Sequence, residues 1–195
     1  MINAIAIFCG SSIGTNPIYA EQAARVGEAI AKRGITLVYG GARVGLMGIV
    51  ADSALKAGGK VIGVMPELLV NQELSHPHLT ELHIVPDMTA RKNKMSQLSD
   101  AFIALPGGAG TLEEIFEQWT WAQLDIHRKP SAFLNTDGFY SDLKLFLDRT
   151  VSSGFTLKRF NDALIFSEEI EQILQQLESY VAPVSKWQKV DEDQT

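Results

Sequence analysis

Seven short apolar runs, separated by longer segments of helical period, constrain the fold of this chain more than any other feature. They are "AIAIFCG" (4–10), "ITLVYGG" (35–41), "KVIGVMP" (60–66), "ELHIVP" (81–86), "AFIALPGG" (101–108), "PSAFLN" (130–135) and "ALIFS" (163–167). Each is too short for a stable helix and apolar at nearly every position, so each reads as a strand buried on both faces. Between them, residues 17–33 carry Ala23, Val26, Gly27 and Ile30 on one stripe, opened by Pro17 and closed by Gly34. Residues 45–57 form a second helix, ended by Gly58 and Gly59. From Thr111 onward Leu112, Ile115, Phe116, Trp119 and Ala122 recur at helical spacing, which predicts an apolar stripe facing a sheet. Later helices are expected over 138–152 and 167–180. Regular alternation of buried strand and helix gives a parallel sheet wound with right-handed crossovers. The expected fold is therefore α/β: a single Rossmann-like domain over residues 1–182, a parallel sheet flanked by helices, with 183–195 as a mobile C-terminal tail.

With 195 residues and 46% hydrophobic content the chain can bury a sizeable core. The balance of 17 basic against 23 acidic residues, a formal charge of −6, argues against nucleic-acid or anionic-membrane partners. The single Cys9 excludes an intrachain disulfide, the N-terminal stretch lacks the pattern of a signal peptide, and no apolar run approaches the ~20 residues that cross a bilayer. A cytoplasmic location is the resulting expectation. His76, His78, His83 and His127 show no metal-ligand spacing beyond one H-x-H, so neither metal nor cofactor is expected.

In open parallel sheets ligands bind outside the carboxyl ends of the strands, near the point where strand order reverses. Three glycine-bearing loops fall at that edge: "CGSSIG", "YGGARVGLMG" and "LPGGAGT". The third, with Gly107, Gly108, Gly110 and Thr111, opens a helix and reads as the seat of a phosphate, because glycine admits close backbone approach and a helix start offers unpaired N–H groups. A tight strand-to-helix turn is the plainer reading of the same glycines. The second loop, with Gly41 and Gly45, departs from the G-x-G-x-x-G spacing of a dinucleotide site. In the first, Ser11 and Ser12 either donate to a ligand or begin the following helix. Glu113 and Glu114 follow the phosphate loop at once. Acidic residues in a first helical turn complement the helix dipole by ~0.3–1 kcal/mol. Adjacent helical residues nevertheless point ~100° apart, so one can face the cleft and stabilise a developing cation. Glu114 is the candidate for that role. Of the basic run Arg91, Lys92, Lys94, Arg91 stands out by following a predicted strand and by its fork geometry. Glu73 lies in a long polar connection over the same edge, and Trp121 falls off the apolar stripe, where it can face a partner subunit.

"PGGAGTLEE" fits the signature P-G-G-x-G-T-x-x-E, and "FCGSS", "YGGARVGLMG", "ARKNKM" and "TWAQLDIHRKP" follow in the expected order. Over residues 4–180 the chain resembles the LOG family of cytokinin-activating phosphoribohydrolases, whose members were long labelled lysine decarboxylases. The resemblance implies a homodimeric, cofactor-independent, Rossmann-like hydrolase that cleaves the N-glycosidic bond of AMP or N6-prenylated AMP. By position it makes Arg91 and Glu114 the catalytic pair. It puts Glu113 and Lys92 in the binding segments and makes Glu73 and Thr120 further substrate contacts; with Ser12, Gly41, Gly45, Gly107, Gly108, Gly110 and Thr111 of the three loops they are the expected substrate-binding residues. Ala42 and Asp125 stand where glycine is usual, and Thr89-Ala90 where a histidine often precedes the arginine. The alternative reading is a nucleotide- or molybdenum-cofactor-binding carrier on the same fold, which would keep the phosphate loop without the Arg and Glu pair. Pyridoxal-phosphate decarboxylation would need a Schiff-base lysine, and no lysine has that setting.

Overall fold

The computed structural model describes residues 1–70 and 74–187. Within them the chain runs β1 (Ala4–Phe8), α1 (Ile18–Lys32), β2 (Thr36–Tyr39), α2 (Gly45–Lys56), β3 (Val61–Pro66), α3 (Glu67–Val70), β4 (Glu81–Val85), α4 (Met88–Leu98), β5 (Ala101–Ala104), α5 (Ala109–Gln123), β6 (Ser131–Leu134), α6 (Ser141–Ser152), α7 (Lys158–Asp162), β7 (Ile165–Ser167) and α8 (Ile170–Glu178). The strands form one sheet in the order β4-β3-β2-β1-β5-β6-β7, with every pairing parallel. From β1 the chain steps outward to β4, then crosses by α4 to the far side of β1 and continues through β5 to β7. Strand order reverses between β1 and β5, so their carboxyl ends part to leave a crevice.

Alternation within the strands divides the core into two layers. Ile5, Ile7 and Cys9 point to one face, with Val26 and Ile30 of α1, Val50 and Ala54 of α2 and Ile173 and Leu177 of α8. Ala6 and Phe8 point to the other, with Met95 of α4, Ile115 of α5 and Leu147 of α6. The stripe expected on α1 is buried, and Gly27 shows why it contains a glycine. A Cβ there would sit 2.3 Å from the Val50 carbonyl oxygen, so α1 and α2 cross at backbone contact.

Two expectations need correction. "ELHIVP" was expected to be buried on both faces, but β4 is the last strand on its side and none of its residues is buried; Ile84 is 55% exposed. In α5 the buried residues are Thr111, Glu114, Ile115 and Gln118, while Leu112, Phe116 and Trp119 are only partly covered. The expected apolar stripe does pack on the sheet, Ile115 in the core and Leu112, Phe116 and Trp119 against it, and a polar face beside it is buried as well. Polar partners meet that face: Arg91 reaches Glu114, and His127 reaches Gln118. The helices expected over 138–152 and 167–180 begin later, at Ser141 and Ile170, the first after a 3-10 turn over Thr136–Gly138.

At the C-terminal end Arg159 donates to the carbonyls of Val184 and Ser185, and Ser185 is buried. Residues 188–195 of the expected tail lie outside the described residues. No helix among the described residues is long and apolar enough to cross a membrane.

Candidate active site

The loops after β1 and β5 and the start of α2 lock together through backbone bonds. Gly10 N–H donates to the Pro106 carbonyl at 3.1 Å, and Leu46 N–H donates to the Gly10 carbonyl at 3.1 Å. Their small residues are required by this proximity. A Cβ on Gly107 would lie 2.1 Å from Thr111 Oγ1 and 2.9 Å from Gly10 N; one on Gly45, which has φ of 57°, would lie 2.2 Å from the Ser11 carbonyl carbon. Gly108 and Gly110 face open space instead. The first helical bond of α5 runs from Leu112 N–H to the Gly108 carbonyl, so the N–H groups of Ala109, Gly110 and Thr111 have no intrahelical acceptor. They form an anion seat at the positive end of a 15-residue helix.

A cleft of about 330 Å³ opens beside that seat, lined by Cys9, Gly10, Ser11, Met47, Met88, Arg91, Gly108–Thr111, Glu113 and Glu114. A second, of about 320 Å³, shares Gly10, Ser11 and Gly108 with it and continues past Ser12, Tyr19, Leu46, Gly107 and Phe139. Together they make one groove across the switch point, charged at one end and largely apolar at the other.

The charged end is built by α4 and α5. Asp87 caps α4 by accepting the Ala90 N–H at 2.8 Å, which sets the helix so that Arg91 points inward. Arg91 Nη1 stands 3.2 Å from Glu114 Oε1, with both side chains 10% exposed, and Arg91 Nε donates to the Val64 carbonyl at 3.2 Å. Burial pushes the Glu114 carboxyl above its ordinary range; Arg91 partly offsets this, while Glu113 adds to it. Burial also pushes the adjacent Cys9 thiol up, so Cys9 is a neutral wall of the cleft. The neighbouring carboxylate behaves differently. Glu113 is exposed and accepts from Lys92 Nζ, which also donates to Glu117 at 3.0 Å. Burial opposes the Lys92 charge, but its two carboxylate bonds outweigh that and raise it above its ordinary value.

The fold thus brings together Ser12, Arg91, Gly107, Gly108, Gly110, Thr111, Glu113 and Glu114 along one groove. Lys92 stands behind Glu113 and is absent from the cleft lining. Gly41 and Gly45 serve the chain itself. Gly41 has φ of 80° and accepts from His76 N–H, in the turn that pairs Ala42 with Ser75. Thr120 is exposed on α5, away from both clefts. Glu73 lies outside the described residues. Ser11 and Ser12 do not begin α1, which starts at Ile18, where Asn16 Oδ1 accepts the Ile18 N–H. Gly10, Met47, Met88 and Cys9 also line the groove, and no chemistry in the sequence marks them for it. Only the position of Gly10 and Cys9 at a strand end could have marked them in advance.

Asp125, where the family pattern has glycine, holds φ of 61° at the end of α5 and is paired with Arg128 at 2.9 Å. His127, lowered to about 4 by burial and by the Lys129 charge, is neutral. Among the described residues no three His, Cys, Asp or Glu side chains gather as a metal site.

A family model described as "Possible lysine decarboxylase" matches residues 47–177. Cytokinin riboside 5'-monophosphate phosphoribohydrolase LOG7 of Arabidopsis thaliana is 45% identical over 90% of this chain and 81% of its own length. A probable cytokinin riboside 5'-monophosphate phosphoribohydrolase of Oryza sativa subsp. japonica, LOGL1, is 41% identical over 94% and 85%. Among solved structures, the molybdenum cofactor binding protein of Rippkaea orientalis superposes with a TM-score of 0.71 at 24% identity, covering 92% of this chain and 97% of that one, a likeness of fold. The chain belongs to the LOG family of cytokinin riboside 5'-monophosphate phosphoribohydrolases, the group to which the old lysine decarboxylase description is attached.

Proposed function

We propose that this protein hydrolyses the N-glycosidic bond of AMP, N6-prenylated AMP or both, releasing the free base and ribose 5-phosphate. The observation that carries this reading is the buried Arg91–Glu114 pair opening onto the same cleft as the N–H groups that start α5. Those N–H groups bind the 5'-phosphate. Breaking the bond from ribose to base builds positive charge on C1' and the ring oxygen, and water must add to C1' as the base departs. Glu114 stabilises that charge and orients the water, and Arg91 holds the Glu114 carboxylate at the angle this requires. Glu113 is held at the cleft edge by Lys92 and contacts the substrate there.

A decarboxylase reading fits the site poorly. No lysine among the described residues lines either cleft, and Lys92 nearby is a protonated ammonium clamped by two carboxylates, the wrong form for a Schiff base. The protein acts as a homodimer in the cytoplasm; Trp121, the exposed Ile126 and Leu124 at the end of α5 supply an apolar face suited to a second copy.

Incubation with AMP, N6-isopentenyl-AMP and the corresponding nucleosides, with free base resolved by chromatography, tests the reading. Both kcat and affinity should fall when the phosphate is missing, since remote binding energy positions the bond. If neither nucleotide is cleaved, the hydrolase assignment fails and the carrier alternative takes its place. Light scattering of the purified chain tests the dimer.

A further inference from the structure

The first glycine of "YGGAR" raises a question that its neighbour does not. Gly41 needs to be glycine because its φ is 80°, whereas Gly40 lies outside the left-handed region, and alanine could adopt its backbone without strain. Gly40 is nonetheless buried, at the carboxyl end of β2. A Cβ built there would sit 1.9 Å from Arg91 Nη2, 3.0 Å from Arg91 Cζ and 3.5 Å from Arg91 Nε. Among the described residues, its chain neighbours aside, the three nearest atoms all belong to one guanidinium. The space a methyl group would take is the space the guanidinium occupies.

We infer that Gly40 is a positioning residue for catalysis: its missing side chain is the seat that holds the Arg91 guanidinium beside Glu114. This rests on the assignment of Arg91 and Glu114 as the reacting pair. The remaining contacts of Arg91 leave it little choice of position. Nε is tied to the Val64 carbonyl, Nη1 faces Glu114 and lies 3.7 Å from Met88 Sδ, and Nη2 is the atom packed on Gly40. A methyl at residue 40 meets the far end of a flexible side chain, so the side chain gives way while the strand end stays. Substitution therefore displaces the guanidinium and spares the fold.

The test is a double-mutant cycle with Gly40→Ala and Arg91→Ala, measured as kcat for AMP cleavage. Gly40→Ala should lower kcat by about a hundredfold, the scale of an ångström-level misplacement. In the Arg91→Ala background the same change should alter kcat by less than about twofold, because the side chain it acts through is gone. The pH profile supplies a readout that general damage would not move. Arg91 and Lys92 lower the Glu114 carboxyl while Glu113 and Glu117 raise it, so displacing Arg91 moves the acid limb of kcat to higher pH in Gly40→Ala. Near-native kcat in Gly40→Ala, or an equal loss in both backgrounds, would overturn the inference. So would failure of the double variant to fold when Arg91→Ala alone folds. Failure of Gly40→Ala alone to fold would overturn it too, since the methyl is expected to move the guanidinium and nothing else. Full activity in Arg91→Ala would instead sink the assignment of the pair, a separate result.

Discussion

Replacing Glu114 by glutamine removes one charge and almost no volume, so it isolates the electrostatic role given to this carboxylate. A unit charge about 4 Å from a unit cation, at an effective dielectric near 20, is worth about 4 kcal/mol. Two features of the site reduce that figure. The transition state carries only part of a unit charge, and Arg91 at 3.2 Å cancels part of the carboxylate's field. Taking about half leaves about 2 kcal/mol, or about 30-fold in kcat. Because the interaction exists only in the transition state, kcat and kcat/KM should fall together with KM little changed. Steady-state release of adenine from AMP, followed by chromatography, gives both constants. The pH dependence adds a second check. Glu114 must be ionised to act, and burial raises its carboxyl above the ordinary 4.5, so native activity should fall as pH drops through that raised value, and the glutamine variant should lack the limb. Folding responds in the opposite sense. Between the unfolded and the raised folded value only the folded chain holds the proton, so native stability declines as pH rises through that window, and melting of the Glu114→Gln protein should be flatter there. A glutamine variant with kcat within about threefold of native and an unchanged acid limb would refute the electrostatic account.

Two further substitutions probe the scaffold. Gly107→Ala places a methyl 2.1 Å from Thr111 Oγ1 and 2.9 Å from Gly10 N, so it should distort the anion seat and raise KM for AMP by about tenfold or more, measurable in the same assay. Gly27→Ala drives α1 away from the Val50 carbonyl and should cost about 1–3 kcal/mol in urea unfolding with kcat preserved; unchanged stability would mean the two helices do not meet at backbone contact.

The strand runs, their glycine-ended loops and the helix after "PGGAGT" were legible in the sequence because local periodicity and backbone freedom are encoded residue by residue. Their order was enough to predict the parallel α/β sheet, and the motif "PGGAGTLEE" marked Glu114, which the fold buries beside Arg91. The edge position of β4 was not legible, since its apolar composition resembles that of the central strands and only the pairing order leaves it at the margin.

The divergence of two adjacent glutamates was visible as a 100° rotation, but what each one meets was decided by the approach of α4 to α5. That approach buries Glu114 against Arg91 and leaves Glu113 at the rim with Lys92. The same holds for the glycines, which look alike in the sequence. Gly45 fits against Ser11, Gly41 makes a turn, Gly107 admits Thr111, and Gly40 admits a guanidinium from a residue 51 positions away (91 − 40). A glycine records that space is needed. Only the packed tertiary structure determines which neighbour fills it, because for Gly45 and Gly40 that neighbour comes from a distant part of the chain.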